Sequence, residues 1–225
     1  MIVRHLLAVA CTALLACSRA DAAPELPGAS VAARADTTKP DTALLAALDL
    51  ARITGKDDAK VWVVMVSDFQ CPFCKRWHDE SYRALFDAYV ATGKVRFAYV
   101  NLPLEMHANA QGAAEAAMCA GLSGKFWEMQ DQLFITQDRW KSESNPRTVF
   151  DSLARAAGVT AATQARCVSK GEARAMVLAD ADRMMRAGIS STPAFIIGGK
   201  LYLGAQPTEV FRKAIDAALA APTPK

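Results

Sequence analysis

Hydrophobic and polar positions divide the chain into three regimes. Residues 6–17 form an apolar stretch behind Arg4 and His5, residues from 23 to about 40 are mostly small or polar, and structural periodicities begin only beyond them. Leu44, Leu45 and Leu48 recur at helical spacing and predict a short leading helix over residues 41–53. The run 61–66, bounded upstream by Gly55-Lys56-Asp57-Asp58, is apolar and rich in valine, and reads as a strand buried on both faces. A helix is expected over 72–89 on the spacing of Trp77, Leu85 and Tyr89, with Gly93 beyond its end. A second buried strand over 95–100 completes a β-α-β unit.

From about residue 106 to 188 the period is helical throughout. Helices are expected over 108–120, 125–134, 146–157, 161–170 and 172–186. Pro146 suits a first turn, Thr160 an N-cap, and Gly121, Gly158, Gly171 and Gly188 the left-handed residue that closes a helix. The chain then returns to strands over 194–197 and 201–203, joined by a Gly198-Gly199 turn as a hairpin. A last amphipathic helix over 208–219 follows, through Val210, Phe211, Ile215 and Leu219. The fold class is α/β, with an inserted helical segment and no internal repeat.

At 225 residues with 52% hydrophobic positions, the chain suffices for one well-buried domain with appendages. Residues 1–22 have the charged start, short apolar stretch and small-residue boundary of a signal peptide, too short to span a bilayer. Two processing routes fit the same letters: a cut after Ala20-Asp21-Ala22, or a lipobox at Leu14-Leu15-Ala16-Cys17 that would make Cys17 the lipidated first residue. Residues 23–45 are assigned as a flexible linker, overlapping the start of the leading helix, and 46–225 as the domain. Lys and Arg number 26 against 23 Asp and Glu with no like-charge block, which argues against a nucleic-acid partner.

Of the six cysteines, export places those of the mature chain in an oxidising compartment, where thiols pair. Cys71 and Cys74 stand three apart after a buried strand and at the first turn of a helix, with Pro72 where a helix prefers proline. The unpaired N–H groups and dipole of the helix start favour the Cys71 thiolate, which makes it both the attacking sulfur and a good leaving group. Cys74, one turn further in, is the resolving thiol. A structural staple or a metal half-site is the alternative for the same pair.

Four separated motifs resemble the DsbA-like thioredoxin proteins of bacterial envelopes. They are Ser67-Asp68-Phe69-Gln70-Cys71-Pro72-Phe73-Cys74, Asn101-Leu102-Pro103-Leu104, Gly124-Lys125-Phe126-Trp127, and Gly188-Ile189-Ser190-Ser191-Thr192-Pro193-Ala194-Phe195. The resemblance implies a thioredoxin-like fold with a helical insertion over about 106–188, and a cis bond between Thr192 and Pro193 beside the cysteines. It further implies that the Thr192 backbone, Pro193 and Phe73 receive an extended substrate segment. Two positions depart from the family pattern. Met65 stands where relatives often carry a buried acid six residues before the first cysteine, and Asp68, at the strand end, is not assigned that task. Phe73 stands where the strongest oxidants have His, which implies a milder oxidant within a range of about 150 mV, or roughly 7 kcal/mol.

Cys119 and Cys167 are candidates for a structural disulfide, with two buried free thiols as the alternative. His78 could share a helix face with Cys71 and Cys74, but no fourth metal ligand has suitable spacing, so no metal and no cofactor are expected. His107 reads as a surface or loop residue, and Trp77, Phe126 and Trp127 as core or groove. The leading expectation is therefore an exported protein-disulfide oxidoreductase of the cell envelope, a disulfide donor to unfolded or misbridged proteins. It would be reset by a membrane redox partner, be monomeric, and carry a lipid anchor if Cys17 is modified. The alternatives are a reductase or isomerase, and a non-catalytic metal-binding envelope lipoprotein.

Overall fold

The structure, a computed structural model, describes residues 42–221; the expected leader with Cys17, and residues 23–41 of the expected linker, lie outside the described residues. The chain enters through α1 (Thr42–Ala51) and the two-residue β1 (Ile53–Thr54), then runs into β2 (Val61–Ser67). A long helical rod follows: α2 (Pro72–Trp77), a π-helical stretch (His78–Tyr82), α3 (Arg83–Leu85) and a second π-helical stretch (Phe86–Val90). β3 (Val95–Asn101) leads to six helices, α4 (Ala110–Gly121), α5 (Phe126–Ile135), α6 (Gln137–Trp140), α7 (Arg147–Ala156), α8 (Ala161–Lys170) and α9 (Glu172–Arg186). The hairpin β4 (Ala194–Ile197) and β5 (Lys200–Leu203) precedes α10 (Thr208–Ala220).

The five strands form one sheet in the order β1-β3-β2-β4-β5, so β2 is central. It pairs parallel with β3, Val61 opposite Val95 through Ser67 opposite Asn101, and antiparallel with β4, Met65 opposite Phe195. This is the α/β arrangement expected from the sequence, with the helical segment between β3 and β4. Gly198 and Gly199 both hold positive φ, which closes the β4–β5 hairpin in two residues. No helix among the described residues is long and apolar enough to cross a membrane.

Trp77 anchors the rod to the sheet, its ring centroid 4.7 Å from Phe195, 5.8 Å from Phe211 and 6.2 Å from Phe97. Cutting so large a buried ring to alanine typically costs about 3–5 kcal/mol. In the insertion, α4 is built on Ala113, Ala114, Ala116, Ala117 and Ala120, all buried, and these small side chains let neighbouring helices approach closely. Cys119 of α4 is bridged to Cys167 of α8, with Cα atoms 5.6 Å apart. Asp180 of α9, wholly buried, pairs with buried Arg52 and accepts from the Asn101 main-chain and side-chain nitrogens at 3.2 Å each. That pairing ties α9 to the end of β3.

Three expectations need correction. The linker assigned to 23–45 runs too far, because α1 begins at Thr42; Leu44 and Leu45 pack on the core and Leu48 is fully buried. The strand expected over 61–66 is not buried on both faces along its length, since Trp62 is exposed and Val64 only half-buried. The Arg96 guanidinium lies 4.6 Å from the Trp62 ring centroid and shelters that face. Gly121 does not close α4 in the left-handed conformation; Gly124 does, with φ +67. At Gly121 a Cβ would come within 2.8 Å of Ala51 Cβ, so glycine there serves the close approach of the end of α1.

Candidate active site

Central β2 ends at Ser67, and the chain turns through Asp68, Phe69 and Gln70 to Cys71. Cys71 has the extended backbone of an N-cap, φ −66 and ψ 124, and Pro72 is the first helical residue. The turn is closed by the Cys71 N–H donating to the Asp68 carbonyl at 3.2 Å, and the helix opens with Lys75 N–H donating to the Cys71 carbonyl at 3.1 Å. Both Cys71 and Cys74 are free thiols, so the pair is in its reduced form.

The two sulfurs differ sharply in acidity. Cys71 is lowered to about 6 by the hydrogen bond from the Cys74 thiol, against an opposing push from burial, with help from Thr192 and from the main-chain N–H groups of Cys74 and Phe73. At neutral pH the Cys71 sulfur is then mainly anionic. Cys74 is raised well above the usual thiol range, first by burial and then by the neighbouring Cys71. One thiolate is thus held ready while its partner stays protonated.

Thr192 and Pro193 meet this pair from across the sheet. Their peptide bond is cis, and the Thr192 carbonyl lies 3.5 Å from Cys71 Sγ. The Pro193 carbonyl accepts from Gly204 N–H at 2.8 Å, which holds this loop against the turn after β5. Phe73 is 54% exposed beside the pair, with the Arg76 guanidinium 5.1 Å from its ring centroid and donating to the Ala205 carbonyl at 3.3 Å. Phe73, Arg76, Ala205 and the Thr192-Pro193 step therefore belong to one rim. Cys71 itself, at 3% exposure, sits below that rim.

Several residues that hold the site were not singled out from the sequence. Gln137, buried on α6, donates from Nε2 to the Phe69 carbonyl at 2.7 Å and the Cys71 carbonyl at 3.2 Å. Gln70 donates to the Lys141 carbonyl at 2.9 Å and accepts from Asn109 N–H at 2.7 Å. The insertion thus grips the cysteine loop from one side. Asp68, buried, accepts from Gln70 N–H at 2.7 Å and Leu104 N–H at 2.8 Å, and lies 2.7 Å from His107 Nδ1. Burial raises the Asp68 carboxyl above its usual range despite these partners. His107 is in a loop, as expected, but its ring turns inward to Asp68 rather than standing on the surface.

His78 Nε2 lies 3.0 Å from Asp131 Oδ1 and Nδ1 3.2 Å from Asp79 Oδ1, so both ring nitrogens face carboxylates. No cluster of three or more metal-binding side chains occurs among the described residues. Trp77 and Phe126 are core, and Trp127 is partly buried against it. Met65 is buried in β2, opposite Tyr99 and Phe195.

Comparison with known proteins agrees with this geometry. Residues 49–217 match the family model described as Thioredoxin. The chain is 31% identical over 174 residues to the Na(+)/H(+) antiporter NhaA 3 of Salinispora tropica, an alignment covering 76% of this chain and 25% of that protein. The chain thus spans about a quarter of the length of such antiporter relatives. It is 26% identical over 168 residues to the probable disulfide bond formation protein D of Bacillus anthracis, covering 72% of this chain and 75% of that protein. The crystal structure of oxidised BdbD from Bacillus subtilis superposes with a TM-score of 0.68 at 24% identity, over 76% of this chain and 93% of that one.

Proposed function

Because the chain belongs to the thioredoxin family, in its DsbA-like branch, we propose that it is a protein-disulfide oxidoreductase working through Cys71 and Cys74. The observation that carries this reading is the placing of the pair, Cys71 at the N-cap of α2 and fully buried Cys74 in its first turn, with the Thr192 carbonyl 3.5 Å from Cys71 Sγ; this setting lowers Cys71 to about 6 and keeps Cys74 protonated. A client thiolate attacks Cys71 Sγ in the oxidised pair and displaces Cys74, giving a mixed disulfide. A second client thiolate attacks the client sulfur of that bond and releases Cys71 as a thiolate. The client gains a disulfide and the pair gains two electrons. A low-pKa Cys71 favours this direction, since it leaves easily and its anion stabilises the reduced enzyme.

The clients are unfolded or misbridged exported proteins, with an extended segment lying along the Thr192 backbone and Pro193 and against Phe73. Export to the envelope is supported by the apolar leader at residues 6–17 and by the Cys119–Cys167 bridge, which an oxidising compartment sustains. A membrane redox partner would reoxidise the pair, and lipidation at Cys17 would hold the protein at the membrane. The reductase or isomerase reading keeps the same residues and reverses the flow of electrons. The metal-binding reading draws no support from His78, whose ring is committed to Asp131 and Asp79.

Oxidative refolding of a reduced client tests the proposal. Cys71→Ser abolishes turnover, and Cys74→Ser accumulates a covalent client adduct at Cys71. Full activity of both variants would overturn the assignment of this pair. Equilibration with glutathione fixes the direction: the expected potential lies between the reducing limit of about −270 mV and the oxidising limit of about −120 mV. A value at the reducing limit contradicts the donor reading.

A further inference from the structure

Displacing Cys74 leaves an anion in a fully buried place. Cys74 is 0% exposed, and Met65, two residues before Ser67 on β2, brings no charge to that strand. The nearby carboxylate, Asp68, is already occupied by the N–H groups of Gln70 and Leu104 and by His107. Two further hydroxyls lie in this part of the core. Ser67, the last residue of β2, and Tyr99 of β3 lie on one face of two paired strands, Tyr99 standing opposite Met65 two residues before Ser67, and the Ser67 hydroxyl favours the anionic form of Cys74. Both hydroxyls are buried, and neither has a hydrogen-bond partner in the reduced pair. Buried hydroxyls left in this state are rare, because burial without a partner is costly.

Resting on the oxidoreductase reading above, we infer that Ser67 and Tyr99 form a short donor chain that becomes fully bonded only when Cys74 is a thiolate. The Ser67 hydroxyl donates to Cys74 Sγ, and the Tyr99 hydroxyl donates to Ser67 Oγ. Ser67 touches a reacting atom; Tyr99 acts through Ser67 and is a positioning residue. Tyr99 is well placed for this, since its ring stacks on Phe69 at 5.0 Å and meets Phe126 edge-on at 5.4 Å. Burial holds the Tyr99 hydroxyl far above the usual phenol range, so it stays protonated and remains a donor. The ionisable groups around the chain are Cys71, Asp68 with its partner His107, and Tyr99 itself.

In the forward step the Cys71–Cys74 bond breaks, the client–Cys71 bond forms, and the electron pair settles on Cys74 Sγ. The proton that the client thiol gave to water is later regained from water by Cys74, so the step needs no further reactant. The same donors assist in reverse, when Cys74 must ionise before it attacks the mixed disulfide.

The test is the rate at which Cys74 resolves a mixed disulfide between Cys71 and glutathione, followed against pH in the full chain. Ser67→Ala is expected to lower that rate about tenfold at pH 7 and to move the profile to higher pH, the loss of one hydrogen bond to an ion. Tyr99→Phe is expected to shift it the same way by less, and Ser67→Thr to restore it. The alkylation profile of Cys71 is read in parallel and is expected to stay near pH 6 in each variant. Unshifted resolution profiles in both Ser67→Ala and Tyr99→Phe, with Cys71 still acidic, overturn the donor chain alone. A parent Cys71 that titrates as an ordinary thiol overturns the oxidoreductase reading instead. Should Ser67→Ala fail to fold, Tyr99→Phe decides, because it keeps the ring and its stacking.

Discussion

The side chain of Gln137 reaches the main-chain oxygen of Cys71 at 3.2 Å, and so joins the helical insertion directly to the attacking residue. The same Nε2 serves the Phe69 carbonyl at 2.7 Å, and the glutamine is buried. Removing it leaves two carbonyls of the cysteine loop without this donor. Gln137→Ala is therefore expected to destabilise the protein by about 1–3 kcal/mol. Denaturant unfolding measures the loss, and an unchanged midpoint would show that the loop stands without the insertion.

The Asp68–His107 pair predicts a pH-dependent deficit. Burial raises the Asp68 carboxyl, so its charged form is a net cost that the facing ring offsets. His107→Ala is expected to cost about 1–3 kcal/mol near neutral pH. A group whose folded pKa is raised favours the fold most when protonated, so the deficit shrinks as pH falls through the Asp68 titration. Stability curves of parent and variant from pH 7 downward should converge; parallel curves would refute the pairing.

The reduced protein carries a linkage of opposite sign. With Cys71 lowered to about 6, the unfolded chain binds more protons than the native one between that value and the ordinary thiol range. Native reduced protein therefore gains about 1.4 kcal/mol per pH unit across this window, and loses the gain as pH falls through 6. The oxidised protein has no such slope. Equal slopes for the two redox forms would contradict the acidity assigned to Cys71.

Cys119 and Cys167 close a loop with a sequence separation of 48. By loop-closure entropy the bridge stabilises by about 4 kcal/mol. Replacing both cysteines with alanine should lower stability by about that amount and leave the Cys71 alkylation profile in place. Intact mass after alkylation without reductant reads the bridge directly, since two extra labels on Cys119 and Cys167 would exclude it.

These predictions separate what the linear pattern carries from what only the fold assembles. The β2, β3 and β4 strands are legible because each is a short run of β-branched and apolar residues, and Cys71-Pro72-Phe73-Cys74 because proline and spacing mark a helix start. The Thr192-Pro193 step is legible only through the resemblance of its motif. Ile53–Thr54 and Gln137–Trp140 are too short to show any period, and they were not anticipated. The supports of the site come from far along the chain: Gln137 lies 66 residues from Cys71, His107 39 from Asp68. No local periodicity encodes such pairings. A buried glutamine within an otherwise polar stretch, and a histidine following the Leu102-Pro103-Leu104 turn, were the available signals.

The central claim is that Cys71 is an anion at neutral pH while Cys74 is not. The most direct measurement is the rate of iodoacetamide alkylation of the reduced protein against pH, with the modified residue identified by mass. A single label on Cys71, rising with a midpoint near pH 6, is the predicted result. A midpoint in the ordinary thiol range of about 8.5, or labelling of Cys74 in preference to Cys71, would contradict it.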